Sequence, residues 1–221
     1  MRKILVLVLV LFGAALSAAA EEGDAHQTEA TYIVRTGQRL QPPLNGSYRL
    51  LEFTQQRGRW IFPDVGYYDI GNVNEQLWFA GAGAEVYRGK HLLWTQIVYV
   101  EQEAGKAAHN ERAMWIWPVL DMNFSPRLSG QAVFYPTIPL THAQRAGFDV
   151  DRVKVEYAFR HNILAGVGYA ATVSAGSSWQ NRPFVTFTNI RRSGKWEFWI
   201  QRIAGGAQLQ ARYQLDRHGA F

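Results

Sequence analysis

Cysteine is absent from all 221 residues of the chain. A disulfide framework, a thiolate metal site and a lipid-modified cysteine are therefore excluded. Long apolar runs are missing too, since no stretch after residue 20 approaches the length of a transmembrane helix. Any later membrane-crossing segment must be a β-strand, because only helices and closed barrels satisfy their backbone hydrogen bonds within a bilayer.

A large excess of either charge is also lacking. The net charge is +5, and Arg2 and Lys3 contribute to it. Without the first twenty residues the charge falls to about +3, which is too small to indicate a nucleic-acid partner. Aromatic residues are abundant instead, with 8 Trp, 10 Tyr and 12 Phe. This content is typical of membrane barrels with aromatic belts, and secreted β-sandwiches share it.

The first thirty residues have the pattern of an export signal followed by a polar tail. Residues 1–20 combine a basic start, an apolar centre and the small residues Ala18, Ala19 and Ala20, so we expect a cleaved signal peptide. An uncleaved membrane anchor is the alternative. Residues 21–30 are predicted to be a periplasmic N-terminal tail, and residues 31–221 a single β-barrel domain.

Two stretches near the C-terminus alternate strictly between apolar and polar residues. Within 152–160 the odd positions are Val153, Val155, Tyr157 and Phe159, and the even positions are mostly charged. Residues 207–215 repeat the alternation, with Arg212 and glutamines at the even positions. A period of two predicts strands with one apolar and one polar face. Helical periodicity is missing, apart from one helical turn expected near 140–147.

The same reasoning along the chain predicts about twelve strands, each long enough to cross a bilayer obliquely. They cover residues 31–39, 48–56, 58–69, 75–88, 91–102, 111–124, 128–137, 151–161, 163–175, 182–191, 195–203 and 207–215. Short turns and longer links alternate between them, up to a short final turn near residues 204–207. The predicted fold is all-β: a closed antiparallel up-and-down transmembrane barrel of about twelve strands, with ten or eight as alternatives.

Several positions test this assignment. Pro63 and Pro118 fall inside strands and remove ladder donors, which predicts a bulge or a break at each. Strands 75–88 and 91–102 are apolar on both faces, which suggests a packed interior there. Pairs of glycines at 81 and 83 and at 166 and 168 predict close approach of neighbouring strands or side chains.

Aromatic residues are expected in two belts at the two ends of the strands. The belt beside the short turns contains Trp60, Trp94, Phe124, Phe159, Trp196 and Tyr213. The belt beside the long links contains Tyr67, Trp78, Trp115 and Phe134.

The last residues carry a family resemblance. Phe221 is the final residue, and Leu209, Ala211, Tyr213 and Leu215 share its parity. In this the chain resembles bacterial outer-membrane β-barrel proteins, although residues 217 and 219 depart from the apolar pattern. The resemblance is to the general layout and to no particular subfamily. It implies the outer membrane of a Gram-negative bacterium, periplasmic short turns and termini, and longer links outside.

One face of each of three strands is expected to line the lumen of this barrel: the even positions of 152–160 and 207–215, and the odd positions of 195–203. These residues are Arg152, Lys154, Glu156, Arg160, Glu197, Gln208, Gln210 and Arg212. They predict either a mildly basic passage for small solutes, anions included, or ion pairs such as Glu156 with Lys154 or Arg160 that fill the barrel. The function expected is a narrow channel or a structural surface protein, a monomer in contact with outer-membrane lipid. No cofactor or metal is expected.

Two other functions remain open at this point. A soluble, exported β-barrel or sandwich that binds a small ligand would place the apolar faces inside and the polar faces outside. An outer-membrane lipid hydrolase would need a His with a Ser and a carboxylate or amide partner. His161 stands at a strand end, but Ile163 occupies the place where such a Ser would be expected. Asp64, Asp69 and Asp121 are expected to be isolated partners of turns or belts.

Overall fold

The computed structural model describes residues 28–39, 48–70, 75–105, 112–141, 146–174, 180–192, 194–203 and 206–219. Within these ranges the chain forms twelve strands. They are β1 Thr28–Arg39, β2 Tyr48–Arg57, β3 Trp60–Ile70, β4 Glu75–Arg88, β5 Leu92–Gly105, β6 Arg112–Ser125, β7 Leu128–Pro139, β8 Gly147–Arg160, β9 Ile163–Ser174, β10 Gln180–Arg191, β11 Gly194–Ile203 and β12 Gly206–Gly219. The predicted signal peptide and Phe221 lie outside the described residues, whereas β1 begins inside the predicted tail.

The strands close into a barrel. Each pairs antiparallel with its neighbours in the chain, and β1 pairs with β12 from Thr28 opposite Gly219 to Arg39 opposite Gln208. No described strand is therefore left with a free edge. The predicted closed antiparallel barrel of twelve strands is confirmed. The limits differ most at β8 and β12, which are longer than the alternation suggested.

The two ends of the barrel differ in their connections. Residues 58–59, 89–91, 126–127, 161–162 and 192–193 join neighbouring strands at one end, which we call the turn end. The longer links lie at the opposite end, the loop end, mostly outside the described residues. In the β2–β3 turn Gly58 has a φ of 55°, a left-handed conformation that glycine adopts without steric cost. The described residues contain no helix long and apolar enough to cross a membrane.

Burial follows the alternation, with polar side chains inside. Val185 and Ile200 are 52% and 53% exposed, whereas Glu197 is 1% exposed. Val153, Val155 and Tyr157 are exposed and the intervening Lys154 and Glu156 are buried. This is the reverse of a water-soluble barrel, so the soluble alternative does not fit the structure. An outer surface of this kind suits hydrocarbon.

Local irregularities occur where the sequence predicts them. Around Pro63 the register shifts on both sides of β3, between Thr54 and Gln56 and between Ile61 and Asp64, which confirms a bulge. Near Pro118 the β6–β7 pairing is interrupted between residues 115 and 119.

The glycine pairs allow the close approaches that were predicted. A Cβ at Gly81 would lie 2.4 Å from the Val98 carbonyl oxygen, and one at Gly166 would lie 1.9 Å from the Val155 carbonyl oxygen. Larger residues at these positions would push β4 away from β5 and β9 away from β8.

Candidate functional site: the barrel interior

An aromatic wall covers the inside of β4 to β7. It consists of Phe79, Tyr99, Trp115, Trp117 and Tyr135. The Tyr99 ring lies 5.2 Å from the rings of Phe79 and Trp117, and the rings of Trp115 and Tyr135 are 5.9 Å apart. Phe79 and Trp115 stand on strands that are not adjacent, so their rings, 6.1 Å apart, meet inside the barrel. The packed interior expected of this region is confirmed.

Two sequence predictions are wrong in this region. Trp115 was assigned to the outer belt at the loop end, but it packs inside against Phe79 and Tyr135. Asp64 was expected to be an isolated partner near a strand end, but it is fully buried and accepts a 2.8 Å hydrogen bond from the Tyr99 hydroxyl. The reason is the β3 bulge, which turns both Ile61 and Asp64 inward and so breaks the simple alternation.

A polar wall covers β8 to β12, and an ion cluster lies at its centre. The Lys154 ammonium lies 2.8 Å from Glu197 Oε1 and 2.9 Å from Glu156 Oε2. Glu197 also accepts a hydrogen bond from Trp199 Nε1. Glu156 Oε1 accepts hydrogen bonds from the hydroxyls of Thr186 and Thr188, at 3.1 and 2.7 Å. Two other strands separate β8 from β11, so Lys154 reaches Glu197 across the interior.

Arg152 extends this cluster toward the loop end. Its guanidinium donates to Gln131 Oε1 at 2.6 Å, forms an ion pair with Asp151 at 2.9 Å and lies 5.7 Å from the Trp199 ring centre. Trp199 in turn stacks on Phe184, with ring centres 4.2 Å apart. A Cβ at residue 168 would meet the Phe184 ring at 2.3 Å, so glycine there makes room for the stack.

Glutamine side chains continue the polar wall onto β11 and β12. Gln210 donates to Gln201 Oε1 at 2.6 Å and to Gln208 Oε1 at 3.1 Å. The Tyr48 hydroxyl donates to Gln210 Oε1 at 2.7 Å, which connects β2 with β12 across the inner face of β1. These amides are paired with one another, as buried polar groups must be to avoid a desolvation cost.

Carboxylates offset the cations of the two walls. Glu197 lies in the combined field of Arg152, Lys154, Lys195 and Arg212. Glu52, beside Asp64, lies in the field of Arg152 and Arg212. Among the described side chains of these clusters the carboxylates are Glu52, Asp64, Asp151, Glu156 and Glu197. The interior therefore has no surplus of cations at this level.

Comparison with known proteins finds this fold in solved outer-membrane porins. No protein-family model matches the chain, and no curated protein matches it in sequence. Solved structures do match. The KdgM porin in complex with disordered oligogalacturonate has a TM-score of 0.60 at 11% identity, over 86% of this chain and 99% of that one. This chain has a porin-like fold.

Two further structures agree with the porin-like fold. The NanC porin has a TM-score of 0.56 at 6% identity, over 86% of this chain and all of that one (100%). An outer-membrane channel from Pseudomonas putida F1 has a TM-score of 0.55 at 9% identity, over 90% and 98% of the two chains. The resemblance to outer-membrane β-barrel proteins is thus confirmed for the fold. At such low identity it extends to no individual side chain.

The residues predicted to line the lumen of the porin-like barrel fall into three groups. Six are buried among the contacts described above: Arg152, Lys154, Glu156, Glu197, Gln208 and Gln210. Arg212 is half-buried on the same wall. Arg160 is exposed at the turn end of β8, away from this cluster. Of the predicted pairs, Glu156 with Lys154 is present.

Sequence reasoning predicted the packed interior at β4 and β5 but missed that the aromatic wall continues onto β6 and β7. A signal was available, because Trp115 and Trp117 enclose an isoleucine. Strands that are apolar on both faces inside a barrel must meet hydrocarbon on one side and apolar side chains on the other.

The lipid-hydrolase alternative depended on His161. His161 lies exposed in the β8–β9 turn. No group of three or more His, Cys, Asp or Glu side chains in the described part of the chain could hold a metal ion.

Proposed function

We propose that this chain is a narrow channel for small polar solutes in the outer membrane of a Gram-negative bacterium. It would act as a monomer, after removal of residues 1–20 and with a short periplasmic tail before β1. The observation that carries the proposal is the inverted barrel, with apolar side chains outside and a hydrogen-bonded polar wall inside. The fold shared with the KdgM porin, which was solved with oligogalacturonate, adds support.

The interior favours selection by size over selection by charge. Large side chains of the aromatic wall project toward the polar wall, and Tyr99 and Glu197 are each 1% exposed. Since carboxylates offset the cations at this level, we expect weak selectivity between small anions and cations, not the anion preference that the basic residues of β8 suggest.

Conductance in a planar bilayer tests the channel directly. The full mature chain is folded in detergent, checked by its shift between unboiled and boiled gel samples, and inserted into a bilayer. We expect stepwise conductance with a reversal potential close to zero in a salt gradient. Trp117→Ala should raise the step size because it removes a ring from the aromatic wall. Trp78→Ala should not, because Trp78 is exposed on the outer surface.

A closed structural barrel is the second candidate. Asp64, Glu197 and Gln201 have almost no exposed surface, which suits an interior filled by side chains. If neither the parent nor Trp117→Ala conducts in the bilayer, while both still shift on heating, the channel is rejected and this candidate is favoured.

A further inference from the structure

The turn end carries a dense set of cations. Each of the five turns at this end contains or directly follows an arginine, and none of residues 57–59, 88–91, 126–127, 160–162 and 191–192 is Asp or Glu. We call these cations the basic ring. Its members, all exposed, are Arg57, Arg59, Arg88, Lys90, Arg127, Arg160, Arg191 and Arg192. Because the barrel is closed, these turns encircle its rim.

Two members of the basic ring contact aromatic residues of the outer surface. Arg127 donates a 3.4 Å hydrogen bond to the hydroxyl of Tyr157, whose side chain faces outward. The Arg59 guanidinium lies 5.2 Å from the Trp60 ring centre. Arg88 differs, because it pairs with Glu85, whose side chain is largely buried. Arg59 and Arg127 thus sit on the lipid side of the rim.

An aromatic belt defines the depth of the basic ring in a bilayer. Trp94, Phe124, Tyr157, Phe159 and Trp196 are all exposed near the turn end. Such belts lie at the level of lipid headgroups. Arginine side chains that extend from turns just beyond the belt would reach the phosphate groups.

The loop end lacks this excess of cations. Its described residues include Arg49, Arg112, Arg182 and Arg202, but also Asp69, Glu101, Glu103 and Asp149. At the turn end, eight cations of the turns stand against Glu85 and against Glu29 and Asp216 near the ends of β1 and β12. The surplus of positive charge is therefore larger at the turn end. It does not follow from the overall composition, in which 23 basic residues face 18 acidic ones.

We propose that the basic ring binds the phosphate groups of anionic phospholipids in the inner leaflet of the outer membrane. This assignment rests on the membrane location proposed above, with the short turns on the periplasmic side. Arginine pairs well with phosphate because its planar guanidinium donates two parallel hydrogen bonds. A ring of such sites would hold the barrel at a fixed height and surround it with anionic lipid.

Native mass spectrometry of the folded, delipidated chain tests this binding. The probes are phosphatidylglycerol and phosphatidylcholine with identical acyl chains, titrated separately. The ring variant combines Arg59→Gln, Arg127→Gln and Arg192→Gln. The control variant makes the same change at three loop-end arginines, with Arg49→Gln, Arg112→Gln and Arg202→Gln.

We expect the parent and the control variant to retain phosphatidylglycerol in preference to phosphatidylcholine. The ring variant should lose that preference, with affinity falling on the order of fivefold for each arginine removed. Added salt should weaken the binding of phosphatidylglycerol by the parent, since exposed charges are screened. All three proteins should still shift on heating, which shows that the barrel is intact.

Three outcomes would overturn the proposal: no preference for phosphatidylglycerol in the parent, an unchanged preference in the ring variant, or an equal loss in both variants. A ring variant with normal lipid retention but an altered reversal potential would assign the cations to solutes in the lumen and reject the lipid site.

Conductance measured in pure phosphatidylcholine separates the lipid-binding proposal from the channel proposal. Loss of conductance with lipid preference intact would reject the channel alone.

Discussion

Replacement of Lys154 by methionine tests the polar wall most directly. The lysine ammonium is the cation that contacts both Glu197 and Glu156, at 2.8 and 2.9 Å. Methionine keeps most of the side-chain volume and removes the charge. Glu156 would keep two threonine donors, whereas Glu197 would keep the Trp199 indole. The loss of stability should therefore come mainly from the uncompensated charge of Glu197.

The size of the expected loss in the free energy of unfolding follows from the burial of both side chains. The side chains of Lys154 and Glu197 are 6% and 1% exposed, so water does not replace the lost cation. Removing one partner of a buried ion pair costs about 3–5 kcal/mol, because the other charge is left uncompensated. Lys154→Met combined with Glu197→Gln should cost roughly 2 kcal/mol or less, since it also removes the stranded charge.

Urea unfolding in phospholipid vesicles measures this difference, with gel migration of unboiled samples and tryptophan fluorescence as two independent readouts. Arg88→Met is the matched control, because it breaks the ion pair with Glu85 at an exposed position. There we expect a change within about 1 kcal/mol.

Two results would refute the reasoning. If Lys154→Met unfolds at the same urea concentration as the parent, water must already solvate Glu197 and the interior is open at this level. If Glu197→Gln fails to restore stability to Lys154→Met, the lysine acts through its contacts along the wall and not through its charge.

Three further substitutions probe other parts of the barrel. Val185→Arg puts a charge on the outer face of β10 and should cost about 2–4 kcal/mol in vesicles, whereas Val185→Leu at the same position should be nearly neutral; equal stability of the two variants would refute a lipid-facing Val185. Gly166→Ala should lower the free energy of unfolding by about 1–3 kcal/mol, because its Cβ would meet the Val155 carbonyl oxygen; wild-type stability would disprove the tight β8–β9 approach. Tyr99→Phe should cost about 1–3 kcal/mol, because buried Asp64 loses a donor. A neutral result in the same unfolding assay would argue against that hydrogen bond.

Much of the fold is predictable from the sequence because a membrane barrel imposes alternation on both faces. In β8, β10, β11 and β12 the outer face must be apolar for lipid and the inner face is polar, so a period of two identifies strand, face and register together. Short turns with glycine, asparagine or proline then mark one end of the barrel. These constraints are local in sequence, and strand limits follow from them closely.

The interior is less predictable because it depends on contacts between strands that are distant in the chain. Trp115 could stand on either face of β6, since both faces are apolar, and only its packing against Phe79 and Tyr135 places it inside. Asp64 is hidden for a different reason. The bulge at Pro63 shifts the inward and outward alternation along β3. Counting alternate positions from Trp60 or Tyr67 therefore does not show which way the Asp64 side chain faces.

Side-chain length is what narrows this barrel. A closed barrel of twelve strands is wide, so contacts between side chains of adjacent strands do not by themselves fill its interior. Lysine and arginine on β8 reach β11, tyrosine on β5 reaches β3, and phenylalanine on β4 reaches tryptophan on β6. Long side chains within each of the two walls therefore set the free cross-section. The passage should respond more to a shortened inner tryptophan or lysine than to any change in the turns, because the turns contribute no side chain to these contacts.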